Sequence, residues 1–151
     1  MPRLLLTDSP EHPLVLDIDE PVGKGCPNRK LDVYVVQYLL KLVIDSPKTS
    51  RKMDILPATP LQIDGIFGER TAEAIRFFQV NGSRGPLAVG TDGRVEPTRG
   101  GTYAGSVSGK LRTIILLNKY YYELYGRNAI LAVHQHPLFP KELARALSLS
   151  G

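Results

Sequence analysis

The chain has 151 residues, 42% hydrophobic and 23% charged, enough for one folded domain with a real core. No apolar run approaches the ~18 residues of a membrane helix, and the single cysteine, Cys26, excludes an intramolecular disulfide and a cysteine-based zinc site. The net charge is +4, but residues 1–20 carry one Arg against five acids, a net −4, so the remaining body is +8 and suits an anionic partner such as nucleic acid, anionic lipid or a cell-wall polymer.

The first residues, Met1 to Asp8, have too short an apolar stretch for a secretory leader. Leu4 to Leu6 reads as a short strand, and residues 14–18 as a second. The expectation is synthesis in the cytoplasm without a cleavable signal. Residues 21–27 form a loop holding Gly23, Gly25 and Cys26. A helix is expected over 29–43, with Asn28 as N-cap and Val33, Val36, Leu40 and Val43 on one face. Residues 45–60, punctuated by Pro47, Pro57 and Pro60, read as an insertion.

A second helix is expected over 69–81, with Asn81-Gly82 as its stop. Residues 82–105 are rich in glycine turn signals and read as another insertion. A third helix is expected over 107–125, capped by Ser106 or Ser108 and stopped by Gly126. Its inner face would carry Leu111, Ile114, Ile115, Asn118, Tyr121 and Tyr122. Residues 129–134 read as a strand, and Pro140 opens a last short helix with Leu143, Ala146 and Leu147. There is no internal sequence repeat of useful length.

The richest stretch is 61–79. Asp64-Gly65 makes a tight turn, the carboxylate bonding nearby backbone and the glycine accepting positive φ. Phe67 then enters the core beside Phe78, and Gly68 permits a second bend. Glu69 opens the helix favourably, and Thr71, Ala74, Ile75 and Phe78 face inward. Gln79 can bond back to the loop from the far end of the helix.

This stretch resembles the signature of the three-helix peptidoglycan-binding domain, Asp-Gly-x-Phe-Gly-x-x-Thr-x-x-Ala-[Val/Ile]-x-x-Phe-Gln. Its fixed positions are filled by Asp64, Gly65, Phe67, Gly68, Thr71, Ala74, Ile75, Phe78 and Gln79. Val36-Gln37 followed by Leu40 is similar to the family's first helix, and Thr91-Asp92-Gly93 is similar to its second Asp-Gly turn. The resemblance covers residues 28–125. It implies a mainly α fold with a three-helix peptidoglycan-binding-like core, to which the residue patterns outside it add a short β segment over 1–27 and a C-terminal strand and helix extension over 126–151.

What the resemblance implies about function is a non-catalytic module, part of a bacterial cell-wall accessory protein. It would hold the glycan or stem peptide of peptidoglycan in a groove beside the second helix. The residues expected at that groove are Asp64, Gly65, Arg70, Thr71, Arg76 and Gln79. Arg70 and Arg76 lie roughly 120° apart round the helix, so they cannot both line one narrow cleft. Arg70, in the first turn where a cation opposes the helix dipole, is the stronger candidate. The alternative is a protein-interaction adaptor on the same scaffold, carried by a phage-tail-like or contact-dependent (type VI-like) secretion apparatus. Either role would place the chain at the cell wall or periplasm by a carrier-dependent or non-classical route.

Other chemistries find little footing. His134-x-His136 on a strand would share a face but lacks a motivated third metal ligand. Asp32 and Asp64 do not form a glycosidase pair, because the turn accounts for Asp64. Cys26 has no patterned His and acid partner, and Ser106 and Ser108 are not on a nucleophile elbow. No phosphate loop and no nucleic-acid reader motif is present, so no enzyme activity, cofactor, metal or nucleic acid is expected. Tyr120, Tyr121, Tyr122 and Tyr125 read as packing at the core edge with wet hydroxyls, or else as a ligand-contacting patch.

Overall fold

A computed structural model describes residues 2–6, 14–46, 60–82, 91–98, 106–107 and 110–147. In chain order the elements are β1 (Arg3–Leu6), β2 (Leu14–Asp17), α1 (Lys30–Ile44), α2 (Glu69–Gly82), β3 (Ser106–Val107) and β4 (Lys110–Leu111). They are followed by α3 (Thr113–Tyr125), α4 (Arg127–Leu131), a 3-10 turn at Val133–Gln135, and α5 (Lys141–Ala146). The fold is mainly α. Most of the insertion spans 45–60 and 82–105, together with Ser108, lies outside the described residues.

Residues 33–44 read Val-Tyr-Val-Val-Gln-Tyr-Leu-Leu-Lys-Leu-Val-Ile, where only Gln37 and Lys41 carry strongly polar side chains. A helix apolar on every side must be covered on every side. α1 accordingly sits centrally, contacted by α2, α3 and α5. Val35, Tyr38 and Leu42 are buried as well as the expected Val33, Val36, Leu40 and Val43. The single apolar face expected from sequence was too narrow a reading of α1.

β1 and β2 pair antiparallel, Leu4 opposite Leu16 and Arg3 opposite Asp17. Side chains of α3 satisfy the other edge of β2. Asn118 Oδ1 accepts the Leu16 N–H at 2.9 Å and Asn118 Nδ2 donates to the Leu16 carbonyl at 3.1 Å. The Tyr122 hydroxyl serves Leu14 likewise, accepting its N–H at 3.2 Å and donating to its carbonyl at 2.8 Å. The two side chains stand in for a third strand, so the edge is not left unpaired.

Several boundaries differ from expectation. Arg29, not Asn28, precedes α1 as N-cap, and it makes no side-chain cap bond. Asn28 instead has φ of +50° and holds the preceding loop, accepting the Gly23 N–H and donating to the Gly23 and Cys26 carbonyls. α3 starts at Thr113, because residues 106–107 and 110–111 pair as a short antiparallel ladder in place of the expected first turns. Residues 129–134 are not a strand: α4 and the 3-10 turn occupy them. A short apolar run fits either state, and here Ile130 and Val133, three apart, supply the buried contacts.

The core centres on α1, with Phe78, Ile114, Ile115, Leu117, Tyr121 and Ile130 fully or almost fully buried round it. Phe78 packs edge-to-face with Tyr120 at 5.8 Å between centroids. Phe67 packs against this core while remaining half-exposed, so it is not buried together with Phe78 as expected. The hydroxyls of Tyr121, Tyr122 and Tyr125 are bonded within the protein, not left to water. Tyr121 shares a 2.9 Å bond with Tyr38, and Tyr125 donates to the Leu42 carbonyl at 2.7 Å. Burial pushes the Tyr38, Tyr120, Tyr121 and Tyr125 phenols above their ordinary range.

Candidate functional site

The Asp64-Gly65 turn is held from α1. Gln37, fully buried, donates through Nε2 to Asp64 Oδ1 at 3.0 Å, to the Ile66 carbonyl at 3.1 Å and to Thr71 Oγ1 at 3.0 Å. Its Oε1 accepts the N–H groups of Asp64 and Gly65 at 3.0 and 2.8 Å. Asp64 Oδ1 also accepts the Ile66 N–H at 3.0 Å. An amide is the one side chain with both a donor and an acceptor end of the right reach for this task.

The same joint occurs a second time. Gln79, also fully buried, donates to Asp92 Oδ1 at 3.3 Å, the Arg94 carbonyl at 2.9 Å and Thr113 Oγ1 at 2.9 Å. Its Oε1 accepts the Gly93 N–H at 2.8 Å, and Asp92 Oδ1 accepts the Arg94 N–H at 3.0 Å. Gly65 and Gly93 share φ of +75°. Each joint therefore takes a Gln from one helix, an Asp-Gly turn, and a Thr early in the next helix. Gln79 bonds to the second turn, not back to the first as expected from sequence. The repetition escapes a sequence search because Gln and Asp are 27 residues apart in one copy and 13 in the other.

The second turn is anchored further. Val22 and Val95 exchange backbone bonds at 3.0 and 2.8 Å. Asp17, fully buried, accepts the Thr98 hydroxyl at 2.6 Å and its N–H at 3.1 Å. Asp32 is buried and accepts the Asp19 and Glu20 N–H groups at 2.8 and 3.2 Å; burial raises its carboxyl above the ordinary range. Neither acid faces a second carboxylate across a cleft.

Of the expected site residues, Thr71 and Gln79 are buried and Asp64 and Gly65 make the first turn, so their polar groups serve the joints. Gly68 does not have the left-handed backbone that its motif position suggested, and a Cβ there would meet nothing within 4 Å. Arg70 and Arg76 are exposed on α2 and make no ion pair among the described residues. Ile66, at the tip of the first turn, is 67% exposed.

A cleft of about 680 Å³ lies next to the first turn, where the C-terminal extension docks. Its lining includes Tyr34 and Lys41 of α1, Leu61 and Gln62 before the first turn, and Leu138 and Lys141 of the extension. No residue of this cleft was among the expected ligand-binding residues, although Leu61, Gln62 and Ile63 open the stretch that the sequence singles out. The signals available were the proline cluster Pro137 and Pro140 and the polar Gln62 between apolar neighbours.

His134 and His136 sit on the 3-10 turn and just after it, not on a strand. His136 Nδ1 accepts the Leu138 N–H at 3.1 Å, its ring meets Tyr38 edge-on at 5.7 Å, and burial lowers its pKa. Burial raises the Cys26 thiol pKa, which keeps it protonated and poorly nucleophilic. Among the described residues no three His, Cys, Asp or Glu side chains converge as a metal site. No described helix is long and apolar enough to cross a membrane. Comparison of the chain with known protein families, curated proteins and solved structures finds no match.

Proposed function

We propose that the chain is a non-catalytic binding module of the peptidoglycan-binding type, with α1, α2 and α3 as its three helices. Its ligand is the glycan or stem peptide of the bacterial cell wall. The observation that carries this reading is the pair of glutamine-held Asp-Gly turns. The Asp-Gly, Thr and Gln of the resemblance motif are the residues that join α1 to α2 and α2 to α3. With those groups engaged inside the protein, Arg70, exposed in the first turn of α2, is the expected contact for a wall carboxylate. The basic body suits a polymer carrying carboxylates. The protein acts at the wall or in the periplasm, carried there by a larger assembly.

The test is co-sedimentation of the full chain with purified insoluble peptidoglycan at moderate salt. Retention in the pellet, weakened by Arg70→Gln with an unchanged melting temperature, is the expected result, because an exposed charge contributes little to stability. A protein that stays soluble overturns the wall reading. It would favour an adaptor in a phage-tail-like or secretion apparatus, for which exposed Ile66, Leu131 and Leu138 offer apolar contact surface.

A further inference from the structure

The 3-10 turn before α5 closes around two histidines in opposite situations. Both ring nitrogens of His134 are buried and have no hydrogen-bond partner among the described residues. A neutral imidazole has one donor and one acceptor to satisfy, so the closed turn leaves both unmet, and opening it would wet them. His136 is instead the centre of the turn's bonding. Its N–H donates to the Val133 carbonyl at 3.2 Å, its carbonyl accepts the Phe139 N–H at 3.0 Å, and its Nδ1 accepts the Leu138 N–H at 3.1 Å. One of the bonds that close the turn therefore depends on a titratable atom.

What the turn holds in place is the last helix. α5 packs chiefly on α1, with Leu143 fully buried and Glu142 paired to Lys30 at 3.0 Å on the surface. Phe139, between the turn and α5, sets its ring edge-on to Tyr38 of α1. Residues 137–142 also form one side of the cleft. The groups around His136 do nothing to accommodate a proton on it. α1 presents Tyr38, whose ring meets the imidazole edge-on at 5.7 Å and whose phenol burial keeps protonated. Burial alone shifts the His136 pKa, downward from 6.5; no charged side chain among the described residues, Lys141 and Glu142 of α5 and Lys30 and Lys41 of α1 included, offsets it. A protonated Nδ1 carries a hydrogen where the Leu138 N–H now points, so two donors would face each other. The closed turn thus takes up this proton less readily than the open one. Its advantage over the open turn is complete above 6.5 and shrinks as pH falls through that value.

We infer that residues 132–139 are an acid-sensitive clasp: protonation of His136 at Nδ1 frees the Leu138 N–H, and residues 137–147 lift from α1 together while α1, α2 and α3 stay folded. The opening is rare at neutral pH and becomes more frequent as the medium acidifies. Each opening removes one side of the cleft and uncovers the face of α1 that carries Tyr38. The device works the same way whatever the module binds, so it stands apart from the wall-binding reading.

The test is amide hydrogen exchange of the full chain at about pH 7 and about pH 5, each corrected for the intrinsic exchange rate at that pH. The N–H groups of Leu138, Phe139, Ala144 and Leu147 are all bonded in the closed form. They should share one protection factor, at least about tenfold below that of the buried run Val35 to Val43 in α1, which opens only with the whole fold. That shared value should fall about three- to tenfold between the two pH values. In His136→Asn, whose side-chain carbonyl can accept the same N–H without titrating, the fall should disappear. The ring-proton shift of His136 in the unsubstituted chain, followed by NMR, should titrate over the same range as the loss of protection.

Protection at Leu138 to Leu147 equal to that of α1 at both pH values would mean that the extension leaves only when the whole fold unfolds, and overturns the clasp. A fall that persists undiminished in His136→Asn, or no fall at all between the two pH values, overturns His136 as its trigger and the proposal with it.

Discussion

Gly65 and Gly93 share a left-handed backbone but meet different neighbours. A Cβ on Gly65 would lie 2.8 Å from Lys30 Cγ and 3.0 Å from Tyr34 Cζ, whereas one on Gly93 would meet nothing within 4 Å. Gly65→Val should therefore cost about 2–4 kcal/mol, adding a clash to the backbone strain. Gly93→Ala should cost about 1–2 kcal/mol from strain alone, and Gly68→Ala less than about 0.5 kcal/mol. Urea unfolding of the three variants checks this order. At this scale the first turn was legible, because Asp64, Gly65 and Thr71 lie within eight residues and their chemistry is local. The role of Gln37 was not. Its partner turn is 27 residues away, across a proline-rich insertion, and nothing short-range marks a buried Gln in an apolar helix as a clamp.

At the scale of elements, the 3-10 turn carries a testable pH response. His136 Nδ1 must be unprotonated to accept the Leu138 N–H, and burial lowers its pKa below the ordinary 6.5. The folded protein thus binds this proton less readily than the unfolded chain. Stability from this site is fully present above 6.5 and is lost as pH falls through that value towards the folded pKa. The urea midpoint should drop from about pH 7 to about pH 5 in the parent protein, and drop less in His136→Asn, whose carbonyl can accept the same N–H without titrating. The two variants showing the same slope would refute the assignment. Residues 129–134 misled the sequence reading because a six-residue apolar run carries no period long enough to separate strand from helix. Asn118 and Tyr122 were placed correctly on the inner face of α3. That they would finish the edge of β2, over a hundred residues earlier, is a tertiary fact.

For the whole molecule, α1 decides cohesion. The N-terminal hairpin packs on α3 and α4, α3 packs on α1, and α5 packs on α1, so the segments 1–27, 28–125 and 126–151 share contacts. Phe139 from the extension is buried with its ring edge-on to Tyr38 at 5.0 Å. Phe139→Ala should cost about 3–5 kcal/mol as a cavity substitution. It should lower the unfolding midpoint equally by far-UV dichroism and by tyrosine fluorescence, as expected when one cooperative unit unfolds. Separate transitions would show the extension coming away by itself. The mainly α class was legible from helical periodicities. The central place of α1 was available too, in the near absence of polar residues over 33–44, but a search for one amphipathic face passed over it.

The paired joints also bear on how the protein ages. Asp-Gly is the dipeptide in which the following amide nitrogen most readily closes on the aspartate side chain, giving a succinimide that reopens largely as isoaspartate. Closure requires that nitrogen to give up its proton and the carboxyl group to turn onto it. In both turns the glycine N–H is held by a glutamine oxygen at 2.8 Å, and the aspartate oxygen is held by the glutamine amide and by the backbone two residues on. The folded chain thus shields its two aspartyl-glycine links, Asp64-Gly65 and Asp92-Gly93, with the same groups that shape it. Isoaspartate accumulating at either link on storage would mark the time that joint spends open.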